Sequence, residues 1–161
     1  MINRDLNDPI TIDEKKGAIQ ALKLGKSVGI DNLPNEILKK EKLITILNEL
    51  FNLCFLNAII PELWSKSIIV PILKPGKDYR DPYGYRSISL MSTVAKLFST
   101  ILNKRIVSYL EQHNILHEEQ NGFRKFRSCL DHIYTLCTIL RNRKTQKLDT
   151  FLCYVDFSKA F

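Results

Sequence analysis

The stretch from Ile37 to Phe55 constrains the fold more than any other. Ile37, Leu38, Leu43 (or Ile44), Leu47, Leu50, Phe51, Cys54 and Phe55 recur at the 3.6-residue period of one helix face. So much aliphatic and aromatic surface on one stripe must be buried against other elements, and a helical core is expected. Pro34 suits the first position of this helix, which is expected to run to about Ala58, with Pro61 beyond its end. The period then changes. Ser67-Ile-Ile-Val-Pro-Ile-Leu73 is short, apolar and β-branched and reads as a strand, with Pro71 confining it to an edge or a bulge. Helices and strands together predict an α+β fold.

The other elements follow from local signals. A helix is expected from Asp13 to Leu24, opened by the capping box Thr11-Ile-Asp-Glu14, with Ala18, Ile19 and Leu22 on one face. Gly25 to Leu33 is rich in turn formers and reads as a loop. Lys74-Pro-Gly-Lys77 is a turn, and Tyr85-Arg-Ser-Ile-Ser-Leu90 a second extended segment. The expected product is a β-hairpin carrying Lys74, Lys77, Arg80 and Arg86. A third helix covers Thr93 to Gln112, with Val94, Leu97, Phe98, Ile101, Leu102 and Leu110 apolar. A fourth begins after Ser128, carries Ile133, Leu136, Cys137 and Leu140, and ends in the basic run Arg141 to Lys144. Phe151 to Asp156 reads as a buried strand presenting Asp156 at its carboxyl end.

Composition narrows the class. The chain has 161 residues, 45% apolar and 25% charged, which fits a folded domain and not a disordered one. No apolar run reaches the ~18 residues of a membrane span. The segment MINRDLNDPI has no apolar core, so no secretory signal is expected and the protein is placed inside the cell. Four cysteines (Cys54, Cys129, Cys137 and Cys153) lie among apolar neighbours without a C-x-x-C pair. Buried free thiols are expected in place of zinc ligands or disulfides.

The formal charge is +7, and it is unevenly distributed. Residues 1–65 hold 8 basic and 9 acidic side chains, residues 66–147 hold 15 and 6, and residues 148–161 hold 1 and 2. A basic block within a foldable region points to a polyanionic partner, nucleic acid first, or to a merely solvated basic surface.

Several chemical signatures fail. Gly25-Lys26-Ser27 resembles the end of a phosphate-binding loop, but Gln20 stands where that loop needs glycine. His113 and His117 have helical ligand spacing but straddle a helix end at Asn114, with no Cys or Asp to complete a set. Asp156 is more informative. A carboxylate at a strand tip suits a Mg²⁺ ion shared with substrate phosphates, but on that stretch alone the cap of a following helix is the favoured reading.

Several segments occur together, in order, that resemble the reverse transcriptase of non-LTR (LINE-like) retrotransposons. Leu24-Gly-Lys-Ser-Val-Gly-Ile-Asp-Asn-Leu-Pro-Asn-Glu-Ile-Leu38 looks like that family's segment ahead of the fingers. Trp64 to Lys77 looks like its first fingers strand and turn. Tyr85 to Leu90, with Lys96-Leu-Phe98 and Asn103-Lys-Arg105, looks like its second. Glu119-Gln-Asn-Gly-Phe-Arg124 with Arg127-Ser128 resembles the next block, and Phe151 to Phe161 the first palm motif.

The resemblance implies a truncated right-hand polymerase fold. Residues 1–65 would be a helical N-terminal extension, 66–147 the fingers and 148–161 the first strand of the palm. It implies RNA-templated DNA synthesis with an RNA template, a DNA primer, deoxynucleoside triphosphates and two Mg²⁺ ions, without a membrane. Asp156 would be a catalytic metal-binding carboxylate. Lys74 and Arg86 would bind the incoming triphosphate, and Phe161 would exclude a ribose 2′-hydroxyl. Lys77, Gln120, Gly122, Phe123, Arg124 and Arg127 would lie along the template path, and further basic residues of the middle block would hold phosphates.

Two departures stand out. Ser87 follows Arg86 where the family has proline, and the (Tyr/Phe)-X-Asp-Asp box that supplies the other catalytic carboxylates is absent. The chain alone is therefore expected to lack polymerase activity. A non-catalytic basic nucleic-acid-binding module and a non-functional relic product are the alternatives.

Overall fold

The computed structural model describes residues 4–157. The chain divides into two compact units, a first through His113 and a second from Asn114.

The first unit holds the helical core. Helices α1 (Arg4–Asn7), α2 (Ile12–Gln20), α3 (Asn35–Leu38) and α4 (Glu41–Asn57) precede a short 3-10 turn at Glu62–Ser65. Strands β1 (Ser67–Leu73) and β2 (Tyr85–Met91) follow, and α5 (Thr93–Gln112) closes the unit. The capping box of α2 forms as expected. Thr11 Oγ1 accepts from the Glu14 amide, and the Glu14 carboxylate accepts from the Thr11 amide at 2.8 Å. The helix is shorter than expected, ending at Gln20 before the turn formers begin.

The single helix expected from Pro34 to Ala58 is two helices. The break falls at Lys39 and Lys40, where Lys40 is extended with ψ 127° and serves as the N-cap of α4. The break rotates the stripe, so Leu38 is buried and Ile37 is exposed. Below it the period holds. Leu47, Phe51 and Cys54 of α4 pack with Ala18 and Ile19 of α2 and Leu97, Phe98 and Ile101 of α5. Phe51 is fully buried at the centre. Its ring meets Trp64 edge-on at 6.1 Å and Phe98 at 5.3 Å, an aromatic cluster that adds to area burial.

The expected hairpin forms. Strands β1 and β2 are antiparallel, from Ser67 opposite Met91 to Leu73 opposite Tyr85. Ile68, Val70, Ile72, Ile88 and Leu90 line one face with Arg86, and Ile68, Val70, Ile72 and Ile88 are exposed on it.

Among the described residues the second unit contains one regular element, α6 (Cys129–Thr145). The Ser128 amide donates to Asp131 Oδ2 at 2.7 Å and fixes its start. No residue of α6 is buried. The buried strand expected at 151–156 does not form. That segment is irregular, with Phe151, Tyr154 and Val155 largely exposed. A strand exists only through a ladder to a neighbour, and none of the described residues pairs with this one. The cysteine expectation holds only for Cys54, whose thiol burial pushes upward in pKa. Cys129, Cys137 and Cys153 are exposed. No helix among the described residues is long and apolar enough to cross a membrane.

Candidate nucleotide and nucleic-acid site

The hairpin of the first unit presents Lys74 and Arg86 at its loop end. Arg86 stands opposite Ile72 on β2, and its side chain is exposed, with no hydrogen bond or ion pair among the described residues. Lys74 follows β1. Its amide donates to Gly84 O at 2.8 Å, extending the ladder by one step, and its ammonium reaches Tyr83 O at 3.3 Å. The loop between the strands is shaped by its own polar groups. Asp78 accepts from the Arg80 amide, Asp81 from the Tyr83 amide, and Tyr85 Oη donates to Tyr79 O at 2.8 Å. Gly76 takes a φ of +73° in the tight turn, which Lys77 closes by donating to Lys74 O. Lys77 is exposed, whereas Arg80 lies against the Tyr79 ring and donates Nε to its hydroxyl.

A device that sequence reading missed anchors the hairpin at its other end. Strand β2 runs into α5 through Ser92, and the loop 25–33 clamps that junction. Asp31 Oδ2 accepts from Ser92 Oγ at 2.8 Å and from the Val94 amide at 3.3 Å, while Ser92 Oγ accepts from the Ala95 amide. Thr93 Oγ1 donates to Leu33 O at 2.7 Å. Two side chains thus satisfy two of the orphan amides at the start of α5. Gly29 lies against the same junction. A Cβ there would sit 1.9 Å from Met91 O, so only glycine fits. The available signal was Ser92 before an apolar-periodic run, which is an N-cap pattern. The partner Asp31, remote in sequence, carried no local signal.

Not every cation of the basic block faces solvent. Arg105 of α5 is fully engaged inside the first unit. Its Nε and Nη2 grip both oxygens of Glu14 at 2.6 and 2.8 Å, and Nη1 and Nη2 reach Asp8 O and Pro9 O. The Arg105 hydrogen bonds hold the Glu14 carboxyl down at about 2, and Glu14 in turn raises Arg105. Arg105 is thus a structural cation, not a phosphate ligand. His113 caps the end of α5, with its ring nitrogen 2.9 Å from Tyr109 O.

In the second unit, the loop 117–128 carries the remaining template candidates. Arg124 is turned inward. Its side chain is 8% exposed, and Nη1 donates to His117 O at 2.9 Å and more weakly to Gln120 O. Its Nη2 lies 3.9 Å from Glu118, and Arg127 pairs with the same carboxylate. Gln120 donates to Gly122 O at 2.9 Å. So Gln120 and Arg124 shape the loop from within. Phe123 is 95% exposed. Asp156 lies in the exposed irregular segment, and Phe161 lies outside the described residues.

The described residues do not make a Mg²⁺ site. No three His, Cys, Asp or Glu side chains among them converge, and Asp156 is a single exposed carboxylate. Alone it can only be one member of a set that these residues do not complete.

No family model matches the chain. Individual relatives do. The chain is 32% identical over 155 residues to the "Probable RNA-directed DNA polymerase from transposon BS" of Drosophila melanogaster, covering 95% of the chain and 17% of that protein. It is 30% identical over 138 residues to the corresponding protein of transposon X-element from the same fly, covering 84% of the chain and 15% of that protein. It is 27% identical over 153 residues to the "Retrovirus-related Pol polyprotein from type-1 retrotransposable element R2" of Popillia japonica, covering 95% and 20%. The chain therefore spans about a sixth of the length of the first two. The order of segments seen in the sequence and the length of these alignments agree: over nearly its whole length, the chain is a homologue of one segment of the RNA-directed DNA polymerases of non-LTR retrotransposons.

Proposed function

We propose that this chain is the part of a retrotransposon RNA-directed DNA polymerase that receives the incoming nucleotide and guides the template. The observation that carries this reading is the loop end of the β-hairpin. There Arg86 is exposed with no partner among the described residues, and Lys74 stands beside the same loop. A guanidinium fork and an ammonium on a rigid two-stranded support suit a triphosphate, the fork by paired hydrogen bonds and the ammonium as a point charge. The Asp31 clamp serves this end indirectly, fixing the far end of β2 so that Arg86 has a defined position.

In this reading residues 66–147 are the fingers, 1–65 a helical extension, and 148–161 contribute Asp156 to the palm. Lys77, Gly122 and Arg127 run along the template, with Gln120 and Arg124 holding the loop that offers Phe123. Phe161, to which the resemblance assigns the sugar of the incoming nucleotide, lies outside the described residues. Bound Mg²⁺ would supply charge neutralisation to the triphosphate, and Asp156 is the one carboxylate here that would contribute to holding it. The chain by itself does not join nucleotides.

Photolabelling with an azido-dATP tests the reading. Label is expected in the peptide spanning Lys74 to Arg86, and Arg86→Gln should reduce it several-fold. Uniform labelling indifferent to Arg86→Gln and to excess dNTP would overturn it. In that case the surviving description would be a non-catalytic nucleic-acid-binding module.

A further inference from the structure

The loop of the second unit contains an arrangement that the triphosphate site does not use. Residues 121–127 read Asn-Gly-Phe-Arg-Lys-Phe-Arg. They form two successive turns with a three-residue repeat. Phe123 and Phe126 occupy equivalent places in them, both with φ of +63°. The first turn is closed by the Arg124 amide donating to Asn121 O. Left-handed backbone ordinarily selects Gly or Asn, and a bulky aromatic there is strained. Neither ring offsets that strain by burial, since Phe123 is 95% and Phe126 91% exposed.

The loop is nonetheless built to hold this shape. Arg124 threads back to the carbonyls of His117 and Gln120, Arg127 pairs with Glu118, and Gln120 braces Gly122 O. Lys125 extends over the Phe126 ring, its ammonium 4.9 Å from the centroid. Two aromatic faces held outward, with cations interleaved, match the chemistry that grips unpaired nucleobases. Base faces stack on the rings while phosphates meet the charges.

We propose that Phe123 and Phe126 form a two-ring stacking platform for unpaired bases of a single strand. This rests on the nucleic-acid reading above and extends it. The platform grips bases and not phosphates alone, does so without regard to sequence, and includes Phe126. Paired strands hide their base faces and are the poorer ligand.

The test uses the full chain and two fluorescent 15-nucleotide probes of equal charge, oligo(dT) and an abasic strand. The native chain should bind oligo(dT) at least about tenfold more tightly than the abasic strand, because stacking is lost with the base. Phe126→Ala should remove most of that preference and leave abasic binding unchanged, whereas Phe126→Tyr should retain it. Phe123→Ala should likewise remove most of the preference for oligo(dT). Both rings are exposed, so the variants should keep the native unfolding transition. Equal binding of the two probes by the native chain, or a preference untouched by either alanine variant, would overturn the platform while leaving phosphate-driven binding intact. Absence of binding to either probe would overturn the nucleic-acid reading itself. A change in self-association with no change in oligo(dT) binding would identify the rings as a protein contact and overturn the platform.

Discussion

Helices α4 and α6 are both 17 residues long, and both carry apolar residues along one side. Helix α4 buries Leu47, Phe51 and Cys54, whereas α6 buries none of its residues. The contrast extends to their surroundings. In the first unit Phe51, Trp64 and Phe98 face one another within the core. In the second, aromatic rings stand in solvent beside cations. Periodicity determines that a helix forms and which side is apolar. Whether that side becomes core depends on a partner, which is a property of tertiary contacts.

This contrast can be broken or sharpened by substitution. Phe51→Ala should have the largest effect, removing about 3–5 kcal/mol of stability through transfer and cavity terms, read by urea unfolding. A loss under 1 kcal/mol would mean that the aromatic cluster is not the centre of the core. Next in size is the Glu14–Arg105 pair. Arg105→Gln should cost about 2–3 kcal/mol at neutral pH, because it leaves a partly buried carboxylate without its main partner.

The pair also sets a pH dependence. The Glu14 carboxyl is held at about 2 in the folded chain, below its ordinary value of 4.5. Its contribution is complete above the ordinary value and is lost as pH falls from there toward 2. Arg105→Gln should flatten this part of the stability profile, and a profile unchanged by the substitution would refute the assignment. The smallest effect belongs to α6. Leu130→Ala should change stability by no more than about 0.5 kcal/mol, since Leu130 is 71% exposed. A loss comparable to that at Phe51 would show that α6 packs in a way the structure does not contain.

Much of the fold was legible locally. The starts of α5 and α6 follow from Ser92 and Ser128 as caps, and the hairpin follows from β-branched runs around Lys74-Pro-Gly-Lys77. What escaped was non-local. The break at Lys39 and Lys40 has neither Gly nor Pro to announce it. The segment 151–156 has a strand's composition but no partner to pair with among the described residues. The site shows the same limit. Arg86 and Lys74 could be placed on a hairpin from sequence, but the inward turn of Arg124 and the clamp by Asp31 depend on groups that meet only after folding.

The central claim is that this chain handles nucleic acid through charge supplemented by base contact. The most direct test is the affinity of the intact chain for a primed RNA template as salt is raised. The account predicts binding that falls linearly on a log–log scale, with a slope reporting several phosphate contacts. Because Arg105 is sequestered, Arg105→Gln should leave that slope unchanged in folded protein, while Lys77→Gln should lower it by about one unit. Binding indifferent to salt, or no binding at low salt, would contradict the account.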